Sequence, residues 1–431
     1  MADQVTNYKC PACSGSMHYS GSEDKLVCDY CDTRYSVEEI EALYKADNES
    51  AVQAKADADA KAEAGESDDW AVSNETWTAD GMMTYSCPQC GAELICESTQ
   101  GAFSCPYCGN PTTIPGQFSG MLKPDYVIPF KYEKKQAVEA LQKHYGNRFL
   151  LPKAFKDTNH LQEVKGVYVP FWLYDGVASG NCTYEGIKSK TYKKGDMQIT
   201  EKDIYAVERR GTMEFEKIPA DASTKMDDAL MDSIEPYDYK GLKPFVQAYL
   251  TGYLADKYDV SAEDNKERAC KRAKESTKAA LKADVKGYNT VSSKSEKVKV
   301  KQGKVNYAMM PVWLLHTKWN NQDFTFAMNG QTGKMVGDLP VDGMKLGITS
   351  VLIAIITFAL CTVFGLSAGV SAIAALILAG IIVAVLYSGM KSVVKESAAD
   401  KYVTKSGVKI TFRDDKFIRK DIEKRKIEKK D

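Results

Sequence analysis

Residues 346–366 carry no charge for 21 positions, and residues 370–387 add 18 more. A helix of about 20 apolar residues spans the hydrocarbon core of a bilayer, so the first run fits and the second is only slightly short. Ser367, Ala368 and Gly369 between them leave room only for a tight turn. A buried pair of soluble helices would have to be hydrophobic on every side, so the runs predict a two-helix transmembrane hairpin over residues 343–390. Both ends of such a hairpin lie on one side. Lys345 precedes it and Lys391, Lys395, Lys401 and Lys405 follow it, while the turn is uncharged. The positive-inside rule then predicts a two-span cell-membrane protein with cytoplasmic N- and C-termini. The spans hold no ionisable residue, which argues against a transporter or ion channel.

Eight of the twelve cysteines fall into four Cys-x-x-Cys pairs. Cys10 and Cys13 are followed, after 14 residues, by Cys28 and Cys31; Cys87 and Cys90 are followed, again after 14 residues, by Cys105 and Cys108. The matched gap marks an internal duplication. Two thiolates two residues apart grip one metal from a single turn, and a second pair completes a closed tetrahedron, the pattern of a structural zinc site. The gap sits at the short edge of the usual spacing of about 15–20 residues. The expectation is two structural Zn2+ ions, in ribbons at residues 1–36 and 83–114; iron suits the same ligands. Redox-active pairs would need a thioredoxin-like βαβ setting, and one pair would suffice. Cys96, Cys182, Cys270 and Cys361 stand outside the pairs and read as ordinary small apolar residues. Zinc binding supplies roughly 10–16 kcal/mol to such a module, so metal loss is expected to unfold the head and leave the rest standing. The opening MADQVTNYK has no apolar core, so no cleavable signal peptide is expected, and reduced thiols agree with a cytoplasmic setting.

The near-neutral balance of 57 basic and 58 acidic residues hides unlike segments. Residues 1–122 hold 20 acidic and 6 basic side chains; the tail from Lys391 holds 8 and 14. Nucleic-acid binding needs Lys or Arg to neutralise phosphates. Residues 83–114 have neither, and the first ribbon sets Lys9, Lys25 and Arg34 against Glu23, Asp24, Asp29 and Asp32. An acidic head without that footprint predicts docking of a cytosolic protein, with a membrane-tethered nucleic-acid-binding regulator as the alternative. The tail, residues 391–431, reads either as a segment drawn to anionic lipid at about 1 kcal/mol per basic residue or as a solvated helix of alternating charge.

Ser36-Val-Glu-Glu39 has the form of a capping box opening a helix that could run to residue 64 within an acidic helix-and-linker segment, residues 37–82. That segment also holds Trp70 and Trp77, either a short docking stretch or local packing. Residues 115–342 have the composition of a globular α+β domain. Strands are expected at 168–174 and 307–315, which echo each other in a Pro-x-Trp, and at 323–328 and 334–337 around the turn 329–333; helices are expected at 134–145, 242–258 and 261–283. There is no Walker A loop, GxSxG, HExxH or dinucleotide glycine pattern, and the four histidines (His18, His144, His160, His316) have no ligand spacing. No enzyme activity is expected.

The paired ribbons, Met310-Pro-Val-Trp-Leu-Leu315, Phe326-Ala-Met-Asn-Gly-Gln-Thr-Gly-Lys334 and the apolar hairpin together resemble a family of Firmicutes membrane proteins described as TFIIB-type zinc-ribbon-containing. The resemblance covers nearly the whole chain. It implies a membrane partner for a phage-shock-type coat protein in envelope stress. Some relatives carry the label primosomal helicase, which would rest on the ribbons alone, since the chain has no helicase motif. The fold class expected is therefore multidomain α+β: two small four-cysteine zinc ribbons, a central antiparallel α+β domain and a transmembrane hairpin.

Overall fold

The computed structural model describes residues 10–13, 17–43, 76–77, 82–87, 91–97, 106–107, 114–117, 121–146, 148–153, 155, 164–364, 367–394 and 398–426. Cys90, Cys105 and Cys108, the expected helix beyond Leu43, Trp70 and His160 lie outside these residues.

The chain opens with a small antiparallel sheet, β1 (Met17–Ser20), β2 (Lys25–Cys28) and β3 (Arg34–Ser36), followed by α1 (Val37–Leu43). The capping box closes as its sequence requires: Glu39 N–H donates to Ser36 Oγ at 3.0 Å and Ser36 N–H to Glu39 Oε2 at 2.7 Å. A two-residue strand β4 (Thr76–Trp77) comes next, then β5 (Met82–Ser86), flanked by β6 (Glu93–Glu97) and β7 (Ile114–Gln117). β8 (Met121–Leu122) pairs with β4, and β9 (Tyr126–Val127) leads to α2 (Lys134–Tyr145).

Four long strands form the body of the molecule. β10 (Lys165–Lys194) turns at Gly195, where φ is +62°, into β11 (Met197–Asp221). After α3 (Asp228–Ile234), β12 (Lys243–Pro244), β13 (Leu254–Asp256) and α4 (Ala262–Ala283), the chain returns as β14 (Thr290–Trp319). β14 pairs with the other side of β10, and then with β15 (Gln322–Asn329), which carries β16 (Met335–Val336). The apolar helices α5 (Gly343–Val363) and α6 (Ala368–Ser388) follow, and the chain closes on β17 (Val403–Lys426), antiparallel to β11. The order β14-β10-β11-β17 is antiparallel throughout. At about 3.3 Å per residue, a 30-residue strand reaches about 100 Å.

The two echoing runs pair directly, Tyr168 opposite Pro311 and Trp172 opposite Tyr307. Both indoles are core groups with satisfied N–H donors, Trp172 on Val260 O at 2.9 Å and Trp313 on Tyr132 O at 2.8 Å. α4 begins at its Ser261 cap, whose hydroxyl accepts from Asp264 N–H at 3.1 Å, and lies across β10 and β11. Gly180 and Gly211 let it approach: a side-chain carbon at Gly180 would meet Leu281 Cδ1 at 2.5 Å. Past the end of α4 the strands run on, and residues 188–196 are exposed throughout.

Two sequence expectations fail here. The helix expected over 242–258 is a short 3-10 turn, Gln247–Leu250, followed by β13. Gly252 sits at φ +85°, which ends any helix, and the aromatic spacing that mimicked one serves packing instead: Tyr249 meets Tyr19, and Tyr253 stacks on Phe130 at 4.1 Å. The tail, read either as a solvated helix or as a segment drawn to anionic lipid, forms a strand over 403–426, which overturns the helix and leaves the charge argument for lipid where it stood. An isolated charged helix gains little beyond weak pair interactions, whereas the edge of β11 offers backbone partners from Met197 to Phe215, and Val403, Val408 and Ile410 pack on the sheet core.

Candidate functional site

β1 and β2 bring Cys10, Cys13, Cys28 and Cys31 together, with all four Sγ atoms within 4.8 Å of one another. Cys10 and Cys31 are 3.6 Å apart, and Cys13 and Cys28 3.4 Å. Four thiolates at about 2.3 Å from one zinc ion define a tetrahedron with edges of about 3.8 Å, so the donor set and its spacing fit a metal ion. Hydrogen bonds from Thr33 pull the Cys31 thiol down to about 6, toward the thiolate a metal requires. Cys10 and Cys28 are buried and Cys13 and Cys31 exposed.

Of the second cysteine set the structure describes Cys87, which is buried. The backbone around it repeats the turn at Cys28. Cys28 N–H donates to Thr33 O at 3.0 Å and Asp32 N–H to Cys28 O at 3.1 Å; Cys87 N–H donates to Ala92 O at 2.8 Å and Gly91 N–H to Cys87 O at 2.8 Å. The residue four places after each cysteine has positive φ, +54° at Asp32 and +71° at Gly91. In both cases the turn joins two antiparallel strands, β2 to β3 and β5 to β6.

Neither unit stands apart from the central domain. Tyr19 N–H donates to Thr251 O at 3.2 Å, Lys243 Nζ pairs with Asp24 at 2.8 Å, and a side chain at Gly21 would collide with the Phe130 carbonyl. On the other unit, β6 adds to β13, with Ala255 opposite Ile95 and Asp256 opposite Leu94. Asp256 is buried there, and burial pushes its carboxyl up to about 7 despite hydrogen bonds from Ser223 and Tyr107.

α5 and α6 have mean hydropathy of 2.4 and 2.7 over their most apolar stretches, which are only 6% and 17% buried. They are long and apolar enough to cross a membrane. Their base is fastened to the sheet domain at both ends. Asp342 caps α5 through Met344 and Lys345 N–H, and its own N–H donates to Leu150 O at 2.8 Å. Lys345 Nζ reaches Leu151 O at 2.7 Å, and Arg148 Nη1 reaches Gly389 O at 2.6 Å. Beyond α6, Leu339 N–H donates to Met390 O, Ser392 and Val393 N–H donate to Asp338, and Lys391 pairs with Asp338 at 2.9 Å.

A buried ionic cluster under α4, not anticipated from the sequence, ties the tail down. Arg272 grips Glu235 with both Nη atoms, at 3.0 and 2.6 Å, and Tyr402 donates to Glu235 Oε2 at 2.7 Å. Arg268 joins Asp221, Asp228 and Asp232 at 2.5–2.8 Å. Burial raises the Glu235 carboxyl above its usual range while Arg272 opposes it. Removing one partner of such a buried pair destabilises by roughly 3–5 kcal/mol. Only the arginines on the helical face of α4 hinted at it; their partners lie 36 to 47 residues away, and Tyr402 is 167 from Glu235. The described histidines join this scaffold: His18 meets Asp29 at 2.7 Å, His144 the Gly337 carbonyl at 2.9 Å and His316 Thr325 at 3.2 Å.

Fold and site together define an α+β protein with six helices among the described residues, a four-cysteine group suited to a metal ion, and two apolar helices seated on a long antiparallel sheet. The chain is 31% identical to the uncharacterized protein YdjG of Bacillus subtilis (strain 168) over 318 residues, 62% of this chain and 92% of YdjG. It belongs to the YdjG family. No protein-family model matches it, and no solved structure does.

Proposed function

We propose that this chain is a membrane-anchored, non-catalytic adaptor that holds a cytosolic protein partner at the inner face of the cell membrane. α5 and α6 span the bilayer with both termini in the cytoplasm. Each four-cysteine set holds one structural Zn2+, the first through Cys10, Cys13, Cys28 and Cys31, the second through Cys87, Cys90, Cys105 and Cys108. The observation that carries the docking role is the open sheet: among the described residues no strand pairs with the outer edge of β17, and none but β10 pairs with residues 290–305 of β14, so their other edge is open. Unpaired strand edges accept an added strand through main-chain hydrogen bonds, and Phe412, Phe417, Ile418 and Ile422 lie exposed along β17. The resemblance to zinc-ribbon membrane proteins suggests a phage-shock-type coat protein as the partner, in envelope stress.

A pull-down from detergent extract with the full chain, beside one ending at Tyr402, tests this. Recovery of a specific protein with the first and its loss with the second supports the adaptor. Recovery of none with the full chain counts heavily against it.

One observation favours the alternative of a membrane-tethered nucleic-acid-binding regulator. The far end of the sheet carries an excess of basic residues, with Lys188, Lys190, Lys193 and Lys194 on β10 and Lys420, Lys424, Arg425 and Lys426 on β17, the two sets separated by β11, whose Glu201 and Asp203 pair with Lys420. Fluorescence anisotropy with labelled DNA and RNA separates the two readings. Affinity that falls steeply with salt supports the regulator, and its absence leaves the adaptor.

A further inference from the structure

Among the described residues between α2 and β10, one large apolar side chain is left in the open: Phe149 is 62% exposed, although its neighbours Leu150 and Leu151 are buried. Its position in the molecule is fixed by bonds already described. Leu150 O takes the Asp342 N–H at the start of α5, Leu151 O takes Lys345 Nζ, and Arg148 holds Gly389 O at the end of α6. The turn closes on itself through Leu151 N–H to Arg148 O at 3.1 Å. Phe149 is thus held level with both ends of the apolar hairpin, where charged sequence gives way to residues 346–366 and 370–387. Met344, on the first turn of α5, is 78% exposed, and Arg148 and Lys153, in the same short segment as Phe149, are exposed too.

An aromatic ring with basic neighbours at the depth where a span begins has the composition of a membrane–water interface anchor: the ring sits among the headgroups and the cations meet phosphate. We infer that residues 148–153 form a second membrane contact, in which Phe149 enters the headgroup–acyl boundary of the cytoplasmic leaflet and Arg148 and Lys153 face the phosphates of anionic phospholipid. The inference rests on the reading of α5 and α6 as spans and adds to it. A hairpin alone leaves the sheet domain free to tilt about one axis. A contact to one side of that axis removes the freedom and sets the direction in which the sheet projects.

The test uses the full chain in vesicles of phosphatidylcholine and phosphatidylglycerol, with and without brominated phosphatidylcholine. Phe149→Trp is compared with the parent chain, and Phe412→Trp on β17 serves as the distant control. The excess emission of Phe149→Trp is expected to be quenched at least about twofold by bromine, as for a ring inserted roughly 5–10 Å into the boundary, while that of Phe412→Trp is not. Equal emission from Phe149→Trp in both vesicles, with the chain resisting carbonate extraction, would overturn the contact and leave the spans standing. Release of the chain by carbonate would remove both. Equal quenching at both positions would replace the local contact with a sheet lying flat on the bilayer.

Discussion

Cys28 and Cys87 close the same pair of backbone hydrogen bonds and place a positive-φ residue at the same offset, so the chain has folded each knuckle around its cysteine in the same way. On the proposed two-zinc reading, Cys28→Ser is expected to lower bound zinc by one ion per chain in elemental analysis and to leave the second four-cysteine set loaded. Asp256 makes a pH prediction. Its buried carboxyl holds a proton up to about 7 in the folded protein but releases it at about 3.9 when unfolded. A raised folded pKa stabilises fully below the unfolded value and loses that contribution as pH rises through the folded one. Thermal unfolding followed by circular dichroism from about pH 5 to about pH 8 should show a falling melting temperature, and Asp256→Asn should lessen the fall, with the buried Asp221 carboxyl, also raised to about 7, supplying part of the rest. The grouping of Cys10, Cys13, Cys28 and Cys31 was legible because metal chemistry fixes such spacing along the chain. Glu235 and Asp256 were not, because the partners that make them notable come together only in three dimensions.

Among the elements, α4 was legible from its Ser261 cap and its periodicity, as was α2 over 134–145. The long strands were legible only where they enter the core, at 168–174 and 307–315. Beyond it, residues 188–194 face water on both sides, so no apolar alternation survives to mark a strand. Lys297 to Lys301 does alternate, with Val298 and Val300 turned toward the core, but that signal spans five residues of a strand of 30. β17 was hidden because an edge strand is written in charges, Lys and Arg being the usual guard against unwanted pairing. Ending the chain at Tyr402 is expected to lower the melting temperature of the sheet domain by about 5 °C or more, each kcal/mol being worth roughly 2–4 °C at this size. Differential scanning calorimetry in detergent would measure it, and an unchanged transition would mean that β17 adds no stability to β11.

For the molecule as a whole, the first four-cysteine unit shares one continuous core with the sheet domain, since Cys10, Tyr19 and Leu26 belong to the same buried cluster as Phe130, Trp172 and Trp313. This changes the outcome expected of metal removal. From the sequence, chelation should melt the head and spare the rest. With the Tyr19–Tyr249 and Gly21–Phe130 contacts in place, chelation is expected to shift a single transition of the sheet domain downward. Two separate transitions in calorimetry would make the four-cysteine unit independent after all.

The pairing of β17 with β11 also imposes an order on biosynthesis. Met197 meets Lys426 and Phe215 meets Val403, so β11 leaves the ribosome roughly 200 residues before its partner is made, and an exposed strand edge persists through that interval. The apolar hairpin emerges inside it. α5 and α6 are therefore complete before the last strand of the sheet is laid down. A nascent chain that stalls or is cut after the hairpin keeps the edge of β11 open, an unpaired edge on which other chains can template.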